Sequence, residues 1–255
     1  MKLIIDIGSQ VLTVVEGDSS RDHPLYSKTS FEAISRQWLR IGWSLGYYMN
    51  FSWLGLPVVQ IPEDLIRLQE VVYQLRPDVV IETGVYRGGS LLFHATMCEL
   101  LGKGRVVGVD LHLSAADRHA VERHALAHRI TLIEGNSTSP AIVSRVGELV
   151  LPGEVALVIL DSAHTKDHVR SELESYSRLV TSGSYMIVAD GLMRDLVDVP
   201  GGKPEWATDN PLAAVEEFLL EHPEFEQAQP TWPFHESTLT ESVSHWGGGW
   251  LRRRS

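Results

Sequence analysis

The chain is short of positive charge, of cysteine and of long apolar runs, and each shortage removes a class of explanation. Lys and Arg number 22 against 33 Asp and Glu, a formal net charge of −11 over 255 residues. Nucleic acid is bound through basic faces, so it is not an expected partner. The terminal Arg252-Arg253-Arg254 is too short to reverse that balance. Cys98 is the single cysteine; no intramolecular disulfide can form, and a reducing, cytoplasmic setting is expected. Its helical surroundings make it a packing residue rather than a nucleophile. No apolar run approaches about 18 residues, and Met1-Lys2-Leu3-Ile4-Ile5-Asp6 meets charge at once, so neither a membrane span nor a leader is expected. Internal repeats are absent. A chain of this length buries one large core, or one core with a small appendage.

The organising stretch is Val79-Val80-Ile81-Glu82-Thr83-Gly84-Val85-Tyr86-Arg87-Gly88-Gly89-Ser90. A β-branched run predicts a buried strand, and Gly88-Gly89-Ser90 opens an amphipathic segment, Leu91 to Leu101. Strand, tight turn and helix N-terminus aim backbone N–H groups into the turn, where glycines let a ligand approach. The glycine spacing departs from the G-x-G-x-x-G of dinucleotide folds. Glu82, two residues ahead of Gly84, would repel a pyrophosphate but suits an ammonium or sulfonium charge. S-adenosylmethionine carries both. The alternative is an ordinary strand-to-helix turn.

Elsewhere the pattern alternates strands and helices. Residues 1–15 read as a short strand or hairpin broken at Gly8, and residues 17–30 as polar loop. Phe31, Ile34, Trp38, Ile41 and Leu45 recur at helical spacing between Ser30 and Tyr48. Trp43, Tyr47, Tyr48, Phe51 and Trp53 read as packing of a helical cap, some of them as walls of a substrate pocket. Pro62-Glu63-Asp64 opens a helix that runs to Leu75. Strands are expected at Arg105–Asp110, Ile130–Glu134, Val155–Leu160 and Tyr185–Ala189, with helices at Ala115–Ala127, N-capped by Ser114, and beyond His164. Residues 191–210 read as a lid or substrate loop carrying Trp206. The stretch from Phe225 to Arg252 reads as a hairpin closing the sheet.

Four of the predicted strands finish in a carboxylate: Glu82, Asp110, Asp161 and Asp190. Ligands of open α/β sheets bind at strand carboxyl ends, so four acids on one rim predict a site. Asp110 is placed to accept both hydrogen bonds of a ribose diol. Asn136 and Ser137 after the third strand either meet an adenine edge or only form a turn.

These motifs resemble the cephalosporin hydroxylase and rhamnosyl O-methyltransferase family, a branch of the class I S-adenosylmethionine-dependent methyltransferases. The resemblance covers residues 45–255. It rests on Asn50-Phe51-Ser52-Trp53-Leu54-Gly55, the Ile81–Ser90 stretch, Ile133-Glu134-Gly135-Asn136-Ser137, Leu160-Asp161-Ser162-Ala163-His164, Gly183-Ser184-Tyr185 and Gly249-Trp250-Leu251-Arg252-Arg253. It implies a mostly parallel, Rossmann-like seven-stranded sheet with helices on both faces, with residues 1–60 as N-terminal segment and helical cap and 61–255 as the cofactor domain. Cofactor contacts are expected from Glu82, Thr83, Gly84, Tyr86, Gly88, Ser90, Asp110, Asn136, Ser137 and Asp161. The implied activity is O-methylation of a small molecule, a sugar or glycosylated natural product, by a homo-oligomeric enzyme with no membrane partner. His164 is carried over as general base, with Asp161 and Asp190 beside it; its alternative role is to cap or pack the helix start. The fifth strand ends in Ala189-Asp190-Gly191, a single acid where metal-dependent relatives often have two. A Mg²⁺ on Asp161 and Asp190 and a metal-free site in which one acid orients His164 are therefore both retained. The rival readings are a non-catalytic cofactor-binding scaffold and an NAD-linked oxidoreductase.

Overall fold

The computed structural model describes residues 1–255. The chain opens with β1 (Lys2–Asp6), β2 (Val11–Glu16) and β3 (Ser19–Pro24), a three-stranded antiparallel sheet. The expected loop at 17–30 is thus a strand followed by the start of a helix. Gly17, at φ +56°, turns β2 back on itself. β3 then pairs along its whole length while keeping almost all its side chains in water, which is why its polarity resembled a loop. The helix α1 (Lys28–Ser44) is N-capped by Ser27, whose side chain accepts from the Ser30 N–H, and it stops before Gly46 at φ +68°. That stop falls short of the Tyr48 end expected from periodicity. The short pair β4 (Phe51–Trp53) and β5 (Leu56–Val58) follows, then α2 (Pro62–Leu75) with Pro at its start and Glu63 and Asp64 in its first turn.

The remaining elements are β6 (Val79–Thr83), α3 (Gly89–Leu100), β7 (Arg105–Asp110), α4 (Ala115–Glu122), β8 (Ile130–Glu134), α5 (Pro140–Gly147), β9 (Ala156–Leu160), α6 (Lys166–Tyr176), β10 (Tyr185–Val188), α7 (Pro211–Glu221), β11 (Phe225–Gln227) and β12 (Trp250–Arg253). α4 ends five residues earlier than its apolar pattern suggested, the chain continuing through a 3-10 turn at Ala127–Arg129. Seven strands make one sheet in the order β11-β12-β10-β9-β6-β7-β8. β6 to β10 are parallel, and β12 lies antiparallel between β10 and β11. The β11–β12 pair closes the sheet as expected, though across a long connection instead of a tight turn.

Both faces of the sheet are covered, as a parallel sheet requires. Alternate residues of β6 point to opposite sides. Val79 and Ile81 join the core beneath α5, α6 and α7, with Val146, Leu173 and Phe218. Val80 joins the core beneath α2 and α3, with Leu68, Val72 and Phe93, and the indoles of Trp246 and Trp250.

Two glycines fix the geometry at the end of β6. A Cβ on Gly84, which sits at φ +87°, would lie 1.9 Å from the Asp161 carbonyl oxygen. A Cβ on Gly89 would lie 2.1 Å from the Pro57 carbonyl oxygen, so α3 starts hard against β5. The turn after β6 and the end of β9 are therefore in backbone contact. A Gly84→Ala variant combines left-handed strain with that collision and should lose roughly 3 kcal/mol or more. The expected drop in melting temperature is about 6–12 °C, measurable by calorimetric or fluorescence melting.

Candidate active site

Because β6 to β10 run parallel, their carboxyl ends open on one edge, and the acids that end them share a rim. Asp161 follows β9 and donates its N–H to the Thr83 carbonyl at 2.9 Å, which locks it against β6. Asp190 follows β10 in the left-handed conformation, φ +57°, and starts a 3-10 turn at Gly191–Asp195. His164 stands two residues ahead of α6, and its Nε2 lies 3.3 Å from Asp190 Oδ2. One ligand atom from each of Asp161, His164 and Asp190 falls within 4.8 Å of the others. Burial, then the Asp190 and Glu82 carboxylates, hold the Asp161 carboxyl well above the usual range.

The triad opens into a cavity of about 400 Å³ that also takes in Gly84, Tyr86 and Ser162. Its walls come from four distant segments. Trp43 and Tyr48 come from α1 and the turn after it, and Trp43 meets Trp206 edge to face at 5.5 Å. Gln60 precedes α2, is 5% exposed, and its Oε1 has no partner. Asp64 and His245 close another side. Asp64 accepts from the Ser244 hydroxyl and from the His245 N–H at 2.9 Å, and burial pushes its carboxyl up to about 7. The segment 191–210 contributes Met193 and Trp206, and it is built of two 3-10 turns tied to α1. The ties are an Arg40–Asp198 ion pair and a Ser44 hydroxyl bonded to the Pro200 carbonyl at 2.9 Å.

Gln60, Asp64, His245 and Trp246 had not been singled out from the sequence. Asp64 was read as a first-turn helix acid, a common reason for a carboxylate there. The one available signal was the Ser244-His245-Trp246 run just ahead of three glycines, whose contact with α2 spans about 180 residues of chain.

On the cofactor side the structure separates the expected residues into four groups. Gly84 and Tyr86 line the cavity with Asp161. Glu82 and Thr83 lie beneath it, both essentially inaccessible. Neither Glu82 oxygen has a hydrogen-bond partner, and burial pushes its carboxyl up to about 8. The buried His94 ring, 3.6 Å from Glu82, is likewise without partners. Gly88 caps α3 at φ +81° and Ser90 lies in its first turn. Asp110, Asn136 and Ser137 do not line the cavity. Asp110 Oδ2 accepts from the N–H groups of Val85 and Tyr86 at 2.8 and 2.9 Å, and Oδ1 from His112 N at 3.0 Å. Asp110 thus holds the glycine turn in shape, which includes Tyr86 at φ +47°. Asn136 Oδ1 accepts from Thr138 N and Oγ1, forming a turn, and Ser137 is buried against His168.

The strand order with one antiparallel strand next to the edge, the glycine turn after the first parallel strand and the acids on the shared rim define the Rossmann-like class I S-adenosylmethionine-dependent methyltransferase fold. Residues 45–254 match the model of the rhamnosyl O-methyltransferase/CmcI family. The rhamnosyl O-methyltransferase of Mycobacterium leprae (strain TN) is 34% identical over 152 residues, 56% of this chain and 64% of that protein. Its counterpart in Mycobacterium tuberculosis (strain ATCC 25618 / H37Rv) is 30% identical over 185 residues, 69% of this chain and 71% of that protein. Among solved structures, CmcI with Mg and SAM aligns at TM-score 0.55 and 19% identity over 81% of this chain and 78% of that one. A Podospora anserina methyltransferase bound to SAH aligns at 0.53 and 17% identity over 88% and 87%. The chain belongs to the rhamnosyl O-methyltransferase/CmcI family.

Asp110→Ala should weaken binding of S-adenosylhomocysteine at least about tenfold, through loss of charge-assisted hydrogen bonds and of the turn they hold. Asp195→Ala, an exposed acid in the 191–195 turn, should leave it unchanged. Calorimetric titration of the two variants checks this, and equal affinities would remove Asp110 from the binding site.

Proposed function

We propose that the protein transfers the methyl group of S-adenosylmethionine to a hydroxyl of a sugar or glycosylated natural product. The observation that carries this reading is the Asp161–His164–Asp190 cluster at one side of an aromatic-walled cavity. The curated relatives named for rhamnosyl O-methylation support the acceptor class.

The residues present fit the cofactor. Glu82 is a buried carboxylate with two unpartnered oxygens, and a cationic amino or sulfonium group is the charge it calls for. Glu82, Thr83, Gly84, Tyr86, Gly88 and Ser90 would hold the methionyl part. Asp110, Asn136 and Ser137 would serve the adenosine part, through the turns they shape. When bound, the cofactor supplies an electrophilic methyl group on a sulfonium centre. A hydroxyl is a poor nucleophile, so the protein must take its proton. His164 does this through its imidazole, and Asp190, 3.3 Å from Nε2, orients the ring and stabilises its cation. Trp43, Tyr48 and Trp206 exclude water and face the acceptor.

The donor set also fits a divalent cation. Mg²⁺ is commonly held by one or two carboxylates with waters, and Asp161 and Asp190 repel one another until a cation joins them. The ion would lower the hydroxyl's pKa beside His164. The wider reading takes residues 1–60 as the cap and 61–255 as the cofactor domain of a cytoplasmic homo-oligomer with no nucleic-acid or membrane partner. The acidic charge balance supports the absence of a nucleic-acid partner and the single buried thiol a reducing setting; no helix is long and apolar enough to cross a membrane.

His164→Ala should lower kcat by about 10²–10⁴ while the variant still binds S-adenosylhomocysteine. In the metal-bound version EDTA abolishes turnover and Mg²⁺ restores it. Full kcat for His164→Ala on a true acceptor would make His164 structural.

The pH dependence of cofactor binding tests Glu82. A carboxyl raised to about 8 is protonated in the free protein below that pH, and binding an ammonium group requires its proton to leave. Affinity for S-adenosylhomocysteine should therefore rise with pH, by up to about tenfold per unit below 8, and level off above it. Glu82→Gln should flatten this profile; an unaltered profile in that variant would assign the titration to another group.

A further inference from the structure

Helix α6 carries a polar stripe that the reaction described above does not use. His168, Glu172 and Tyr176 are spaced four apart and so fall on one helix face. Ser162 Oγ donates to Glu172 Oε1 at 2.7 Å, while Glu172 Oε2 has no partner and the whole residue is inaccessible to water. His168 Nε2 lies 3.1 Å from Ser162 Oγ, 3.2 Å from Ser137 Oγ and 3.5 Å from Glu172 Oε1. Tyr176 donates its hydroxyl to the Ser137 carbonyl at 2.9 Å.

The placement of the two serines gives this cluster its meaning. Ser137 belongs to the turn that ends β8. Ser162 follows Asp161 directly and lines the cavity. A buried carboxylate needs a compensating charge, and the His168 ring is the basic group in contact with Glu172. Glu172 in turn holds His168 above its ordinary range. In its protonated form the ring donates from Nε2 to the serine oxygens, and Ser162 passes a hydrogen bond on to Glu172. The same Glu172 charge is one of three, with Asp190 and Glu82, that press on Asp161.

We propose that His168 is a positioning residue for the methyl-transfer site, pinning the turn after β8 to the turn after β9 through Ser137 and Ser162. This fixes the adenosine side of the site relative to the Asp161 end. The inference rests on the reading that these strand ends hold S-adenosylmethionine.

Calorimetric titrations with S-adenosylhomocysteine and with 5′-methylthioadenosine, which lacks the amino-acid part, test it on the intact chain. His168→Phe should weaken both ligands by about tenfold and by the same factor, since the affected contact is on the adenosine side. His168→Gln places an amide N–H donor near the Nε2 position and should return both affinities to within about threefold of wild type. A purely structural role predicts lower melting temperatures for both variants with no such rescue. Where His168→Phe fails to fold, Ser162→Ala breaks the same tie from the strand side and should weaken both ligands. Wild type binding S-adenosylhomocysteine while His168→Phe or Ser162→Ala keeps its affinity within twofold would overturn the proposal. Wild type that does not bind S-adenosylhomocysteine would instead overturn the cofactor reading beneath it.

Discussion

Crowded negative charge without a fixed cation is the constraint on which this site is built. Asp64, Asp161 and Asp190 line one cavity whose other lining residues include neither lysine nor arginine. Glu82 lies beneath it and Glu172 behind it, both out of contact with water. Burial disfavours the charged form of each group first, and neighbouring carboxylates add to it at Asp64 and Asp161. Asp64 is pushed up to about 7 and Glu82 to about 8, while Asp161 stands well above the usual range. A bound cation relieves this in a way that no neutral ligand does. A sulfonium cofactor and a divalent ion are both cations, and the arrangement favours them over a pyrophosphate-bearing dinucleotide.

Such a site needs a stiff frame, because mutual repulsion would otherwise spread its members. Backbone contacts supply it. The turn after β6 is clamped on one side by Asp110, which takes two of its N–H groups. On the other side Gly84 abuts the Asp161 carbonyl so closely that no side chain fits between them. Asp161 is bonded back to Thr83. The glycine turn and Asp161 are thus parts of one backbone assembly, and a disturbance at either is felt at the other. This also accounts for the left-handed, non-glycine conformations of Tyr86 and Asp190: strain of this kind persists only where the surroundings over-determine it.

How far the sequence could be read follows from which parts of the site are local. Glu82, Asp110, Asp161 and Asp190 each end a β-rich run, and strand ends of a parallel sheet share an edge, so their convergence followed from pattern alone. The glycine turn was readable for the same reason, whereas His164 was carried over from the family resemblance. Gln60, Asp64 and His245 were not, because their meeting depends on how the segment 243–249 crosses α2, a contact no local pattern encodes. Asp110 shows a subtler limit. Its position was predictable, but its commitment to the N–H groups of Val85 and Tyr86 depends on the turn's three-dimensional path. At β3 polarity misled, because an edge strand with solvated side chains has the composition of a loop.

The proposed acceptor side is assembled differently from the proposed cofactor side, and the difference bears on specificity. The residues proposed for the cofactor sit on β6 and the turn after it, at the start of α3 and at the ends of β7, β8 and β9, rigid elements whose geometry is set by sheet register. The acceptor walls come from α1, from the residue ahead of α2, from 191–210 and from 243–249, held together by side-chain ties. Trp43 leans on Trp206, Arg40 pairs with Asp198, and Asp64 fastens the Ser244-His245 strap. The Leu192 N–H is bonded to the His245 carbonyl at 2.9 Å, so the strap also touches the turn that begins at Asp190. A change in the strap or in α1 can therefore reshape the acceptor pocket without moving the sheet that holds the donor. The charge-crowded rim, fixed by backbone, stays common to whatever acceptor the walls admit.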